Sequence, residues 1–302
     1  MTTTPTLHAQ VLALRRTQSA RAVAQALSIP LGTVKAISSR AGLTRDNQKL
    51  REFFRLPKPT ASTCTALQPP VAPPEPVAVT GDHDIDAMLW LRQVVQTGDT
   101  ALIDKAMQAA ERIKTPAQEL EKRYGDFLMR QSNGNTMRAV FGSIGFADLK
   151  ELAERVLDKQ QRRTEALARF GSVDGVFATL AQEQFCMDVL APVPVATGVW
   201  GSIDQAQANA VFSQHPDMVP HTLADCLHEL EYWDALYRLR HGWDAGDELP
   251  EVYARRCYLD SHCLSTIRPK SRDEAKAVLR FMAKSEMFDR SETDSVLENL
   301  VG

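Results

Sequence analysis

Apolar residues recur along most of this chain at intervals of three and four, the spacing that puts them on one face of an α-helix. Leu7, Val11, Leu12 and Leu14 do so first, then Val23, Ala24 and Leu27, then Val34 and Ile37. Between the last two groups stands Ser28-Ile29-Pro30, a turn that proline keeps from extending the preceding helix. Further on, Ile85, Met88, Leu89, Leu91, Val94 and Val95 form a broad stripe closed by Gly98, followed by a helix over about residues 101–113. TPAQELEKRYGDFLMR offers Thr115 as N-cap and Pro116 at the first helical position, and SNGN at 132–135 reads as a turn. Leu149, Leu152, Ala153, Val156 and Leu157 line a long helix that runs out in the polar DKQQRR, 158–163. The last third repeats the pattern with Leu223, Cys226, Leu227, Leu230, Trp233 and Tyr237. Ser271 with Glu274 is a capping box opening a helix to about residue 284, and Ser291 caps a final one ending near 300. Strand alternation is rare and no repeat has a fixed period. The expected fold is mostly α.

One segment breaks the pattern. Residues 57–82, PKPTASTCTALQPPVAPPEPVAVTGD, hold seven of the 16 prolines and few charges or large apolar side chains. Such a stretch has no core to bury and reads as an extended tether. It divides the chain into an N-terminal domain, 1–56, a Pro-rich flexible linker, 57–82, and a larger all-α domain, 83–302. APVPVATGVWGS at 191–202 is irregular, so a division of the larger domain into two lobes is expected near 191–220.

Charge is distributed unevenly over these parts. Residues 1–57 carry nine Lys and Arg against Asp46 and Glu52 alone, whereas the whole chain has a net charge of −3. A small basic head on an acidic body points to a polyanionic partner for the head. The chain has 302 residues, 44% of them hydrophobic, and no apolar run of membrane-spanning length. MTTTPTLHAQ lacks the charged start and apolar core of a signal peptide. The five cysteines are odd in number and scattered, which fits a reducing, cytoplasmic setting better than a disulfide framework.

Within the basic head, SARAVAQALSIPLGTVKAISSRAGL has the layout of a helix-turn-helix. Ser19 serves as N-cap, and Ala24 is small enough for two helices to cross closely. Apolar residues at 23, 27, 29, 34 and 37 hold the second helix down. Its other face keeps Leu31, Thr33, Lys35, Ala36, Ser39 and Arg40. A recognition helix enters the major groove with its N-terminal end first. Thr33 and Lys35 would then reach base edges, and Leu31 and Ala36 a thymine methyl. Arg40, Thr44, Arg45 and Arg51 would lie toward phosphates, joined by Arg15, Arg16 and Arg21 from the flanking helices. At the first turn position, where this motif favours glycine for its positive φ, the chain has Ser28.

GTVKAISSRAGL, followed by TRDN and FFRLP, resembles the DNA-binding region of the KorC/KlcB-type regulatory proteins of broad-host-range plasmids, over about residues 7–57. LGTVK also resembles the helix-turn-helix of sigma factor region 4. In the body, LWLRQVV, TPAQELEKRYGDFL and FADLKELAERVL are similar to KlcB-type proteins. The resemblance implies a transcriptional repressor of plasmid control circuits, with DNA contacts on the second helix, residues 31–40.

Catalytic constellations are poorly represented. His221, Asp225 and His228 are spaced for one helix face, with Cys226, Cys257, His262 and Cys263 near in sequence. Thr222 reads better as an N-cap with Asp225 as its partner, and no C-x-x-C pair occurs, so no metal is expected. Asp82-His83-Asp84 lacks a second His/Asp set, and FGSIGF, with Gly142 and Gly145, lacks a phosphate-cradle pattern. G-x-S-x-G, H-E-x-x-H and G-x-G-x-x-G are absent. Glu229, Glu231 and Asp234 read as ordinary helix-surface charges. Tyr232, Trp233, Tyr237 and Trp243 read as core before interface. The expectation is a DNA-binding regulator rather than an enzyme, without cofactor. It would bind double-stranded DNA as a homodimer, with residues 83–302 serving oligomerisation or a protein partner. The alternative is an adaptor whose acidic body is the working part and whose head only localises it to DNA.

Overall fold

Helix starts in this chain are written in short polar side chains, and the folded chain uses them. The computed structural model describes residues 6–18, 20–41, 45–60, 71–131, 136–194, 203–243 and 248–301. Helices α1 (Leu7–Thr17), α2 (Ala20–Ala26), α3 (Leu31–Arg40) and α4 (Gln48–Phe53) precede the Pro-rich segment. Then follow α5 (His83–Gln96), α6 (Thr100–Ala110), α7 (Ala117–Gln131), α8 (Thr136–Ser143) and α9 (Leu149–Phe170). The remainder holds α10 (Val173–Phe177), α11 (Ala181–Leu190), α12 (Gln205–Phe212), α13 (Leu223–Arg240) and α14 (Pro250–Cys257). A π-helical turn, Tyr258–Cys263, carries α14 on into α15 (Leu264–Thr266), before α16 (Arg272–Lys284) and α17 (Thr293–Val301). The fold is mostly α.

Asp82, Asp99, Asp148 and Asp204 each accept a backbone N–H in the first turn of α5, α6, α9 and α12. The left-handed Gly98 (φ 75°) and Gly171 (φ 79°) follow the ends of α5 and α9. Two expectations shift. Helix α9 continues past the polar run at 158–163, because Ala166 is buried and Arg169 pairs with Glu165 one turn back at 2.9 Å. Ser291 does not cap α17: its hydroxyl bonds Glu292 Oε1 at 2.7 Å and the helix starts at Thr293. Of the irregular segment at 191–202, residues 195–202 lie outside the described residues, as do Ser19 and the turn 132–135.

The chain packs into two units. One draws on Met1–Lys58, Ser172–Arg238 and Gly246–Gly302, the other on Pro59–Gly171 and Leu239–Ala245. In the first unit α1, α2 and α3 enclose a small core of their own, Val11, Val23 and Val34, flanked by Leu14, Ala24, Leu27, Ile29 and Ile37. The rest of that unit is built on α13, whose Leu223, Cys226, Leu230, Trp233 and Leu236 are buried. Trp233, Tyr232 and Tyr237 are thus core, as their helical spacing suggests. At the centre lies Arg255 of α14, fully buried. Its Nε and Nη2 donate to Glu229 Oε1 and Oε2 at 2.7 and 2.8 Å. The rings of Phe212 and Tyr258 stand 4.9 and 5.0 Å from its guanidinium carbon, with Phe54 and Phe185 at 5.8 Å. Burial disfavours the guanidinium's charge, but Glu229 outweighs it and raises the Arg255 pKa. Either side of the expected lobe break, Phe185 of α11 and Phe212 of α12 meet at 6.4 Å within this one unit.

The second unit packs α5, α6, α7 and α9 around Ile85, Met88, Leu91, Val95, Ile103, Leu120, Phe146 and Leu152. Phe146 stacks on Tyr124 at 4.0 Å. The Pro-rich segment has no regular structure at 71–79 but is tied to this unit. Trp90 Nε1 donates to Pro74 O at 2.7 Å, and Asp86 accepts from the N–H groups of Val79, Thr80 and Gly81. Thr60 reaches Ala168 O through both its N–H and its hydroxyl, each at 2.8 Å.

Candidate nucleic-acid interface

The turn between α2 and α3 has a definite geometry. Ser28 is left-handed, with φ 52°. The Ile29 N–H bonds Ala24 O at 3.0 Å and the Ser28 N–H bonds Gln25 O at 3.2 Å. This crossed pair is a Schellman closure: it satisfies the last carbonyls of α2 and requires the left-handed residue where Ser28 stands. Ile29 is thereby folded back onto Ala24, so the small Ala24 and the apolar Ile29 act together. Pro30 then starts α3 from an extended conformation (φ −59°, ψ 138°), and its carbonyl accepts from Thr33 and Val34. Buried Val34 and half-buried Ile37 face the small core, while buried Ser38 bonds back to Val34 O at 2.8 Å.

The opposite side of α3 is open. Thr33, Lys35, Ser39 and Arg40 are exposed, and Leu31 and Ala36 half-buried. Pro30 supplies no side-chain cap and the first turn of α3 has no acid, so its N-terminal N–H groups meet no carboxylate there. No acidic residue occurs in the first 45 positions. Arg21 on α2 and Arg45 beyond α3 are exposed too. Arg15 is half-buried and donates to Gln18 O at the end of α1, with burial lowering its guanidinium from the ordinary value. The Arg16 side chain and Thr44 lie outside the described residues.

Arg51 stands apart from this surface, in a clamp between α4 and α13. Its Nε meets the fully buried carboxylate of Asp225 at 2.6 Å and its Nη2 meets Asp46 at 3.1 Å. Asp225 also accepts the Asn47 N–H at 2.9 Å and caps α13 with Thr222, each of the two accepting the other's N–H at 3.2 Å. Asn47 Nδ2 reaches Asp217 O and Val219 O, both at 2.9 Å. His228 Nε2 lies 3.1 Å from Arg51 O and 2.9 Å from Phe54 O. Thus Asp225 and His228, spaced in the sequence like metal ligands, form the socket for α4. Burial works against the Asp46 carboxylate, but hydrogen bonds from Lys270 and Thr222 and the charge of Arg51 hold it below the usual carboxylate range. Only the capping role of Asp225 was visible in its spacing. Its partners Asn47 and Arg51 are far away in sequence, and no local signal marks them.

Three other acidic candidates have structural partners as well. Glu229 holds Arg255, Asp234 meets Arg256 at 2.8 Å, and Asp84 accepts from Thr115 Oγ1 at 2.5 Å. In the glycine segment, a Cβ on Gly142 would stand 2.7 Å from Leu128 Cδ1, so that glycine serves the close approach of α8 to α7. Among the described residues no helix is long and apolar enough to cross a membrane. Comparison of the chain with protein-family models, with curated proteins and with solved structures finds no match.

Proposed function

We propose that this protein is a sequence-specific DNA-binding regulator, a repressor, that reads the major groove with α3. The observation that carries the reading is the closure at Ser28. A left-handed residue ends α2 and angles α3 across it, so that Val34 and Ile37 bury one side while Thr33, Lys35, Ser39 and Arg40 stay exposed on the other. The acid-free first 45 residues supply the electrostatics that a phosphate backbone needs. Thr33 and Lys35 read bases, Leu31 and Ala36 touch apolar base edges, and Arg40, Arg45 and Arg21 follow the phosphates.

The test is binding to duplexes selected from a random library, titrated at several salt concentrations. Log K should fall linearly with log salt, by about 0.9 per phosphate contacted. Lys35→Ala should weaken the selected site about tenfold or more and random DNA far less. Arg45→Ala should weaken both alike. Equal losses on both duplexes for Lys35→Ala would remove α3 from base reading.

The oligomer that one small head calls for has a specific candidate surface. On α8 and the turn after it, Met137, Phe141 and Ile144 are 66, 68 and 67% exposed at helical spacing. A homodimer, or a protein partner in an adaptor role, would use this face. Phe141→Asp should shift a dimer to monomer in sedimentation, and an unchanged mass would assign the face to another partner or to none.

A further inference from the structure

Helices α5 and α9 form a cleft of about 640 Å³ whose charged side chains are all cations: Arg92, Arg155, Lys159 and Arg163. Gln96 and Gln160 are the amides among them. Along α9 the three cations stand four residues apart, about 6 Å of rise each, a spacing that suits successive phosphates. Arg92 comes from the facing helix. It is half-buried, fixed by bonds from Nη1 to Gly145 O and Phe146 O at 3.1 and 2.8 Å, and lies over the Phe146 ring at 5.6 Å. Arg163 is held as well, with Nε donating to Gly242 O at 2.5 Å, a bond that does not use its two terminal nitrogens. Glu151 Oε1 is 3.9 Å from Arg155 Nε on an exposed face, and Asp148 caps α9. Desolvation, and then the charge of Arg155, lower the Arg92 guanidinium from its ordinary value.

Arg155 repels Arg92 across the cleft, and an oxyanion between the two guanidinium groups relieves that cost. A duplex lies across a surface, whereas Arg92 is half-buried in the lining of a cleft. The volume is that of a small-ligand site. Leu152 and Val156 in the lining give a non-polar moiety a place beside the phosphates. From this arrangement we infer that the α5–α9 cleft binds a small molecule carrying a chain of phosphates, of nucleotide size.

The test is calorimetry and thermal unfolding of the full-length protein at 150 mM NaCl, with inorganic tripolyphosphate and a nucleoside triphosphate as probes. Saturable one-to-one binding with a raised Tm is expected. Arg155→Gln and Lys159→Gln should each weaken it about tenfold or more, the worth of one charge-assisted hydrogen bond. Lys150→Gln, an exposed position on α9 outside the cleft, should leave it unchanged. Tighter binding of the nucleotide than of tripolyphosphate assigns the ligand to nucleotides, and equal binding assigns it to the phosphate chain alone. Absence of saturable binding by both probes overturns the inference. Binding indifferent to Arg155→Gln and Lys159→Gln does so too, as does loss of duplex DNA binding in these variants without any probe binding.

Discussion

Ser28 shows how much a single residue can fix. A left-handed conformation costs a non-glycine residue about 1 kcal/mol or more, and here it is held by the crossed bonds that close α2. Glycine removes that cost but loses more chain entropy, so Ser28→Gly should stabilise by only about 0.5 kcal/mol. Ser28→Val, β-branched at φ 52°, should destabilise by about 1 kcal/mol or more. Denaturant unfolding of the three proteins gives the order, and a valine variant as stable as glycine would remove the strain argument. Arg51 makes the contrasting point. Its composition-based role was a phosphate contact, yet the structure commits its guanidinium to Asp225 and Asp46. Arg51→Ala should therefore cost about 2–3 kcal/mol of folding stability, because Asp225 stays buried without its ion pair. Arg45→Ala, at an exposed position, should cost almost none. Asp46 adds a pH signature. Its folded pKa is depressed, so its contribution is present above the unfolded value near ~4 and is lost as pH falls through the folded value. Wild type should exceed Asp46→Asn in Tm at neutral pH, and the two should converge in an acid titration. A constant gap down to the lowest pH would sink this account.

At the scale of elements, the sequence was legible wherever the signal was local. The stripe from Ile85 to Val95 became α5, the caps at Thr222 and Ser271 hold, and Gly98 ends a helix where its position suggested. Apolar spacing and capping act within a turn or two, so neighbouring residues carry them. The core of α1, α2 and α3 was legible for the same reason. What stayed hidden is long-range. No local signal marked Phe54, which packs edge-on against Tyr232 and Trp233 at 5.6 and 5.7 Å. Arg255 carried no sign that it would be a fully buried charge, because its partner Glu229 looked like an ordinary helix-surface acid. A consequence follows for this pair. Arg255→Met should cost about 3–5 kcal/mol, since it strands a buried carboxylate, whereas Arg255→Met with Glu229→Leu should recover much of the loss. Urea unfolding of both variants checks this, and equal losses would show that the aromatic enclosure, not the charge, decides the site. The cleft between α5 and α9 was hidden too, because its cations lie in a part of the chain whose overall charge is negative.

For the whole molecule, the question is where the basic head ends. Composition puts the boundary at the Pro-rich segment, after residue 56. Packing gives a different answer. α1 to α3 have their own core, whereas residues 46–54 are bonded into α13 through Asp46, Asn47, Arg51 and His228. Leu50 and Phe54 are fully buried, each worth about 1.5–3 kcal/mol. The working boundary then falls between α3 and Asp46, in a connection only a few residues long. A chain beginning at residue 46 should keep a Tm close to that of the intact protein and lose the DNA binding proposed for α3. A chain beginning at residue 59 leaves an empty site beside Tyr232, Trp233 and Arg255 and an unpaired Asp225. It should unfold many degrees lower or aggregate. Scanning calorimetry of the two truncations decides between them. Equal stability would restore the Pro-rich segment as the boundary, whereas the expected gap makes α4 part of the body, so that the head is held close by a short connection. If α3 reads DNA as proposed, close attachment restricts the head's reach from α4, where a free tether of 26 residues would have left it loose.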